Sequence, residues 1–151
     1  LAPAGAKAVI VLGDGAGEMS SAVAARCGGT VIDLEALKQW ATEEPSEEGE
    51  KLLVMVNAGR TVGMKECLPL IERAMASWEA PYVLNEFPRM IAQLKKVEGV
   101  IGDVAVAVVA GTGDDSVTRL CGQLKNRGTA SHEASGRSDA DVSGVLATMR
   151  A

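Results

Sequence analysis

The sequence predicts an α/β domain in which a parallel sheet carries helices on both faces. Two short apolar runs, residues 8–12 and 104–110, are rich in Val, Ile and Ala and are typical of strands buried on both sides. Segments with apolar residues at helical spacing lie between the strand candidates, so strands and helices alternate along the chain. The 151 residues, 47% of them hydrophobic, suffice for one domain with one core.

The first half of the chain supplies four elements after the strand at 8–12. A helix over residues 20–26 ends at Gly28-Gly29, and Thr30–Ile32 is a second strand candidate. Apolar residues at helical spacing predict a helix over 33–42. The acidic stretch 43–50, which contains a proline and a glycine, is interpreted as an exposed turn. A helix over 51–57 follows it and ends at a glycine.

The second half continues the alternation. Apolar residues on one face predict a helix over 65–78, and Pro81–Leu84 is the third strand candidate. A helix is expected from Pro88 to Lys96, because proline is favoured in the first helical turn. After the strand at 104–110, a helix over 117–125 is expected, with Asp114 or Asp115 as its N-cap. Residues 128–143 are rich in Gly, Ser and Asp and predict a mobile loop or lid.

Composition excludes several functional classes. The formal net charge of −5 argues against non-specific binding to nucleic acid or anionic lipid. No apolar run approaches the roughly 20 residues that a membrane helix needs. The three cysteines are far apart and form no CxxC pair, so reduced thiols in an intracellular protein are expected. The chain begins at Leu1 rather than Met, and the sequence leaves open whether it is a processed product or an excerpt of a longer chain.

A glycine-rich segment, LGDGAGEMS, joins the first strand to the first helix. Backbone N–H groups at such a junction bind anions, assisted by the helix dipole. The candidate phosphate-binding residues are Gly13, Gly15, Gly17 and Ser20. The P-loop pattern GxxxxGK[ST] is not met, because three residues rather than four separate Gly13 from Gly17 and Glu18 occupies the lysine position. The alternative is a turn that only connects strand to helix.

The same segment also permits a dinucleotide-binding interpretation. Gly13 and Gly15 with Asp33 about 20 residues later resemble the dinucleotide fingerprint, in which the acidic residue binds a ribose hydroxyl. The third glycine, Gly17, comes one position early. In the alternative interpretation Asp33 is the N-cap of the following helix.

Residues 82–93, YVLNEFPRMIAQ, carry a more specific resemblance. They are similar to the D-G-[FY]-P-R-x-x-x-Q segment of adenylate kinases and related nucleoside monophosphate kinases. In that family the arginine contacts phosphate and the glutamine contacts the adenine of AMP, which implies these roles for Arg89 and Gln93. The family's magnesium-organising aspartate is replaced by Asn85, and its glycine by Glu86. The alternative for Arg89 is a surface arginine at the start of a helix.

Two further regions, the AMP side and the lid, resemble the same family in the same order. Residues 46–52 and 57–62 are similar to its AMP-side segments, which implies an AMP-side insert over about residues 33–62; the position of its first AMP arginine holds Gln39. Arg127-Gly128 and Ser135-Gly136-Arg137 are similar to its lid, over about 128–143. The resemblance implies phosphate contacts for the cations Arg119, Arg127 and Arg137, where the alternative is solvated surface charge.

The resemblance covers roughly residues 8–145 and implies a P-loop NTPase-like sheet with the first strand between the third and fourth. The family's last strand lies beyond the segments matched here, so a C-terminal strand is expected to be missing. A non-catalytic, adenylate kinase-like domain that serves as a structural module in a larger assembly is therefore expected. Its partners would be other protein subunits or domains, and such domains occur in multi-domain and flagellar proteins.

Two alternatives remain open for the function. One is a nucleotide sensor that holds AMP through Arg89 and Gln93. The other is a weakly active phosphotransferase using ATP and Mg²⁺, in which other cations replace the lysine; the candidates are Lys38, Arg60, Arg119, Arg127 and Arg137. No cofactor is certain in any of these hypotheses, and no protein-bound metal is expected. A cytoplasmic or cytoskeletal location is expected.

Overall fold

A computed structural model describes residues 8–134 and 139–150. The described part is an α/β domain built on a five-stranded parallel sheet. The strands are β1 (Ala8–Leu12), β2 (Thr30–Ile32), β3 (Tyr82–Asn85), β4 (Val104–Ala110) and β5 (Ala130–Ala134). The helices are α1 (Ala16–Cys27), α2 (Leu34–Glu43), α3 (Glu47–Asn57), α4 (Met64–Ala74), α5 (Ile91–Ile101), α6 (Asp115–Asn126) and α7 (Asp139–Arg150).

The strand order is β2-β3-β1-β4-β5, and every pairing is parallel. The expectation that β1 lies between β3 and β4 is confirmed. Parallel strands end at the same edge of a sheet, so the residues that follow β1, β3 and β4 meet there. This carboxyl edge carries most of the residues that the sequence singles out.

Alternate side chains of β1 enter two separate cores, as the two-residue period of a strand requires. Ile10 and Leu12 join a core formed with α2 through α6, whereas Val9 and Val11 join a core formed with α1 and α7. All five residues of β1 have 0% exposure. The expectation of helices on both faces is confirmed.

Two expectations about the C-terminal region are wrong. The sheet has a fifth strand, and it lies inside the segment expected to form a lid: residues 130–134 form β5, and α7 begins at 139. Side chains of β5 are largely exposed, so apolar patterning could not predict the strand. Its backbone pairs with β4 over five positions, and its last residue, Ala134, is buried. The expected lid residues at 135–138, Arg137 among them, lie outside the described residues.

Several helix boundaries also differ from those expected. α1 begins at Ala16 rather than at Ser20, so Gly17 and Glu18 belong to the helix rather than to a loop. α3 begins at Glu47 because the Ser46 side chain caps it, accepting from the Gly49 N–H at 3.0 Å. α5 begins at Ile91, so Pro88 precedes the helix.

Candidate functional site

The turn after β1 is short and lies against the end of β4. It comprises Gly13, Asp14 and Gly15, and its two glycines allow close approach to the backbone. Gly13 has φ of 104°, and a Cβ there would overlap the carbonyl oxygen of Ala110. A Cβ at Gly15 would lie 3.3 Å from the same oxygen. Packing against β4 therefore explains both glycines, whereas a Cβ at Gly17 would meet nothing within 4 Å.

The N–H groups of this turn are bonded within the protein. Asp14 N–H donates to Thr112 O at 2.9 Å, Gly15 N–H to Ala110 O at 2.9 Å, and Ala16 N–H to Gly13 O at 3.1 Å. The Asp14 carboxylate accepts in turn from the Thr112 N–H at 2.9 Å. An anion bound in this turn would have to displace these bonds, because a backbone donor serves one strong acceptor at a time.

Glu86 accepts a hydrogen bond from the remaining N–H group of the turn, that of Gly13. The Gly13 N–H donates to Glu86 Oε1 at 3.3 Å, so a carboxylate of the chain is the acceptor for this N–H group. Glu86 has φ of 51°, and it is the one non-glycine residue with positive φ in the described ranges 8–134 and 139–150. Its backbone N–H donates to Val11 O at 2.8 Å, which fixes the residue beside β1.

Arg89, the expected phosphate contact, is engaged by carboxylates. Its Nη2 donates to Asp114 Oδ2 at 2.9 Å and lies 3.9 Å from Glu86 Oε1. Asp114 is also the N-cap of α6, accepting from Ser116 Oγ at 2.7 Å and from the Val117 N–H at 3.0 Å. The Ser116 hydrogen bond, then that of Val117, then Arg89 lower the pKa of Asp114 to about 2.

Asn85 and Asp33 form a second closed pair at this edge. The Asn85 amide donates to Asp33 Oδ2 at 2.8 Å, and Asp33 Oδ1 accepts from the Ala36 N–H at 2.8 Å as the N-cap of α2. Both carboxylate oxygens of Asp33 are therefore occupied. The N-cap interpretation of Asp33 is confirmed, and a ribose hydroxyl would have to compete with these two bonds.

The remaining candidates at the carboxyl edge do not converge on one pocket. Arg89 and Arg119 line a cleft of about 140 Å³ between the start of α5 and α6. This volume is below the about 300–1,000 Å³ typical of small-molecule pockets. Gln93 is half-buried and follows Ala92, a residue of this lining, in α5. Ser20 is fully buried, and its Oγ has no hydrogen-bond partner among the described residues.

A wider concavity, of about 580 Å³, lies at the ends of β4 and β5. Its charged lining residues within the described chain are two carboxylates, Glu133 and Asp141. Their sign opposes the binding of a polyphosphate, since two like charges about 4 Å apart repel by roughly 4 kcal/mol at intermediate dielectric.

Arg127 lies at the opposite end of the sheet, which corrects its expected role in a lid. It donates to Glu98 through Nη1 at 2.8 Å and Nη2 at 2.6 Å, beside the first residue of β4. The length of β4 separates this pair from the Gly13 turn by roughly 20 Å. Glu98 is 5% exposed and also accepts from the Val104 N–H at 2.7 Å. Arg127 thus neutralises a buried carboxylate.

The pKa of Glu98 reflects this pairing. Burial alone would raise the pKa of the carboxyl group, but the hydrogen bonds from Arg127 and Val104, together with the Arg127 charge, hold it below its ordinary value. Sequence reasoning missed Glu98. Its position on the buried face of α5, between Leu94 and Ile101 at helical spacing, is the pattern that indicates a buried charge with a partner.

Within residues 8–134 and 139–150, no three His, Cys, Asp or Glu side chains are grouped so that they could hold a metal ion. None of the described helices has the length and apolar character to cross a membrane. No protein-family model matches the chain, and no curated protein matches it.

Proposed function

We propose that this chain is a non-catalytic, adenylate kinase-like domain that acts as a structural and protein-interaction module. The observation that carries the proposal is the closure of the turn after β1. Each N–H group from Gly13 to Ala16 is bonded to an acceptor of the protein itself, and Glu86 supplies one of these acceptors. A phosphate-binding turn needs such donors to face a ligand.

The charges around the turn support the same proposal. Glu18 lies in the first turn of α1, where phosphoryl-transfer enzymes of this type carry a lysine. Arg89 is held by Asp114 and lies near Glu86, and Arg127 is committed to Glu98 at the far end of the sheet. Transfer of a phosphoryl group needs positive charge on the transferring oxygens, and these arginines are engaged elsewhere.

Calorimetric titration of the domain with AMP, and separately with Mg-ATP, tests the proposal. No heat at millimolar ligand is expected in either titration, and no ADP in a turnover assay. Mg-ATP binding with turnover would overturn the proposal. AMP binding alone would favour a sensor, in which Arg89, whose side chain is 42% exposed, exchanges Asp114 for phosphate.

The variant Glu18→Lys sharpens this test, because it restores only the lysine charge. We expect the variant not to bind Mg-ATP, since the N–H groups of the turn stay bonded within the protein. If this variant binds Mg-ATP with a millimolar or lower dissociation constant, the negative charge of Glu18 alone prevents binding in the wild type. The bonded N–H groups of the turn would then not be the obstacle.

A further inference from the structure

A groove of about 630 Å³ is lined by residues of α3 and α4. Its apolar floor is formed by Val54, Met55 and Pro69. Val54 is 67% exposed, whereas Leu52, on the opposite face of α3, is fully buried in the core. Val54 therefore contributes nothing to the core, and the groove presents apolar surface to solvent.

Carboxylates dominate the walls of this α3–α4 groove. Four glutamates and two lysines line it. The charged lining residues are Glu47, Glu48, Glu50, Glu66, Lys51 and Lys65. Glu48 is paired with Arg73 at 2.6 Å, which joins the two helices, and Glu47 lies 4.0 Å from Lys51. In the described part of the chain, no ion pair engages Glu50 or Glu66.

Pro69 interrupts the hydrogen bonding of α4 beside the groove. It lies inside α4 and has no N–H, so the carbonyl group of Lys65, four residues earlier, lacks its ordinary helical donor. Both residues line the groove. The apolar floor and the acidic walls together match a ligand with aliphatic side chains and cationic donors.

We propose that the α3–α4 groove binds a basic amphipathic helix of a partner protein. The apolar face of that helix would cover Val54, Met55 and Pro69, and its Lys or Arg side chains would pair with Glu50 and Glu66. A second copy of this chain is a poor occupant, because its net charge of −5 would repel the acidic walls. The proposal rests on the interaction-module role and names the chemistry of its partner.

The test uses the domain with a fluorescently labelled synthetic helical peptide of Leu, Ala and Lys, with leucine on one face. Anisotropy titrations should show saturable binding, while an analogue with Glu in place of Lys should not bind. The double variant Glu50→Lys/Glu66→Lys should weaken binding about tenfold or more, as loss of paired charge at an interface does. Val54→Asp should have a similar effect.

Matched controls separate the groove from general attraction to an acidic protein. Glu35→Lys/Glu72→Lys makes the same charge change at exposed sites outside the groove lining, and Leu34→Asp matches Val54→Asp at another exposed apolar residue. These variants should bind within about twofold of wild type. Amide chemical shifts should move on α3 and α4 in the wild-type complex.

Absence of peptide binding, or equal weakening by the groove and control variants, would overturn the groove proposal. Neither result bears on nucleotide binding, which the AMP and Mg-ATP titrations measure on the same samples. Conversely, nucleotide binding with turnover would overturn the proposed function and leave the peptide result standing. The two proposals therefore fail separately.

Discussion

Replacing Glu86 tests whether its carboxylate is what closes the turn after β1. The residue combines a positive φ of 51° with a hydrogen bond from the Gly13 N–H at 3.3 Å. Two opposing contributions are therefore present in one residue. The left-handed conformation costs about 1–2 kcal/mol relative to glycine. The hydrogen bond is long and its acceptor side chain is 39% exposed, so it contributes only about 0.5–1.5 kcal/mol although the acceptor is charged.

Substitutions separate these two energies. Glu86→Ala keeps the unfavourable backbone and loses the hydrogen bond, so the free energy of unfolding should fall by about 0.5–1.5 kcal/mol. Glu86→Gly loses the same bond but relieves the backbone, so its free energy of unfolding should exceed that of Glu86→Ala by about 1–2 kcal/mol and stay close to that of wild type. Urea unfolding followed by fluorescence of the two tryptophans measures all three proteins.

Two results would refute this reasoning. Equal stability of Glu86→Ala and wild type would mean that the carboxylate does not hold the turn. A Glu86→Gly protein no more stable than Glu86→Ala would mean that the positive φ carries no cost. Neither variant should bind Mg-ATP, because the N–H groups of Asp14, Gly15 and Ala16 stay bonded within the protein.

Three further predictions concern the same architecture and are checked by urea or thermal unfolding. Gly13→Ala should lower the free energy of unfolding by about 2–4 kcal/mol, because its Cβ would overlap the carbonyl oxygen of Ala110. Gly17→Ala, in open space within α1, should raise the free energy of unfolding by about 0.5 kcal/mol. A Gly13→Ala protein more stable than Gly17→Ala would contradict the packing role of the turn. Arg127→Ala should cost about 3 kcal/mol by leaving the Glu98 carboxylate buried and unpaired, and a loss below about 1 kcal/mol would disprove that pairing. Because the folded-state pKa of Asp114 is lowered from 3.8 to about 2, its contribution is present above that range and disappears as the pH falls through it. Asp114→Asn, which keeps a capping oxygen, should therefore flatten the fall of Tm over this pH range, and an unchanged slope would refute the assignment.

The sequence was sufficient for the elements whose side chains decide their structure. β1 and β4 are buried almost throughout, so their apolar runs are visible without any tertiary knowledge. β5 could not be predicted in this way, because its sequence ASHEA is held by backbone pairing with β4. The start of α3 differs from the expected one for a different reason. A glycine at position 49 is typical of a turn in the sequence, whereas it lies where α3 contacts α2, and a Cβ there would be 3.1 Å from Ala41 Cβ.

The candidate site was only partly predictable. The sequence indicated that Glu18, Asn85 and Glu86 depart from a phosphate-binding pattern, but it gave no indication that Glu86 itself bonds the turn. That role depends on the distance between the ends of β1 and β3, which only the sheet order determines. Arg127 illustrates the opposite case, in which a plausible position in the sequence places a side chain at the wrong end of the sheet.

The central position of β1 has a consequence for synthesis on the ribosome. Of the five described strands it is made first, and its partners β3 and β4 emerge only about 75 and 95 residues later, a delay of roughly 5–20 s at ordinary translation rates. During that interval the sequence AVIVL has neither of its neighbours, and a short, uncharged, β-branched segment of this kind readily pairs with other chains. Nascent chains of this domain are therefore expected to need chaperone protection until β4 has left the exit tunnel.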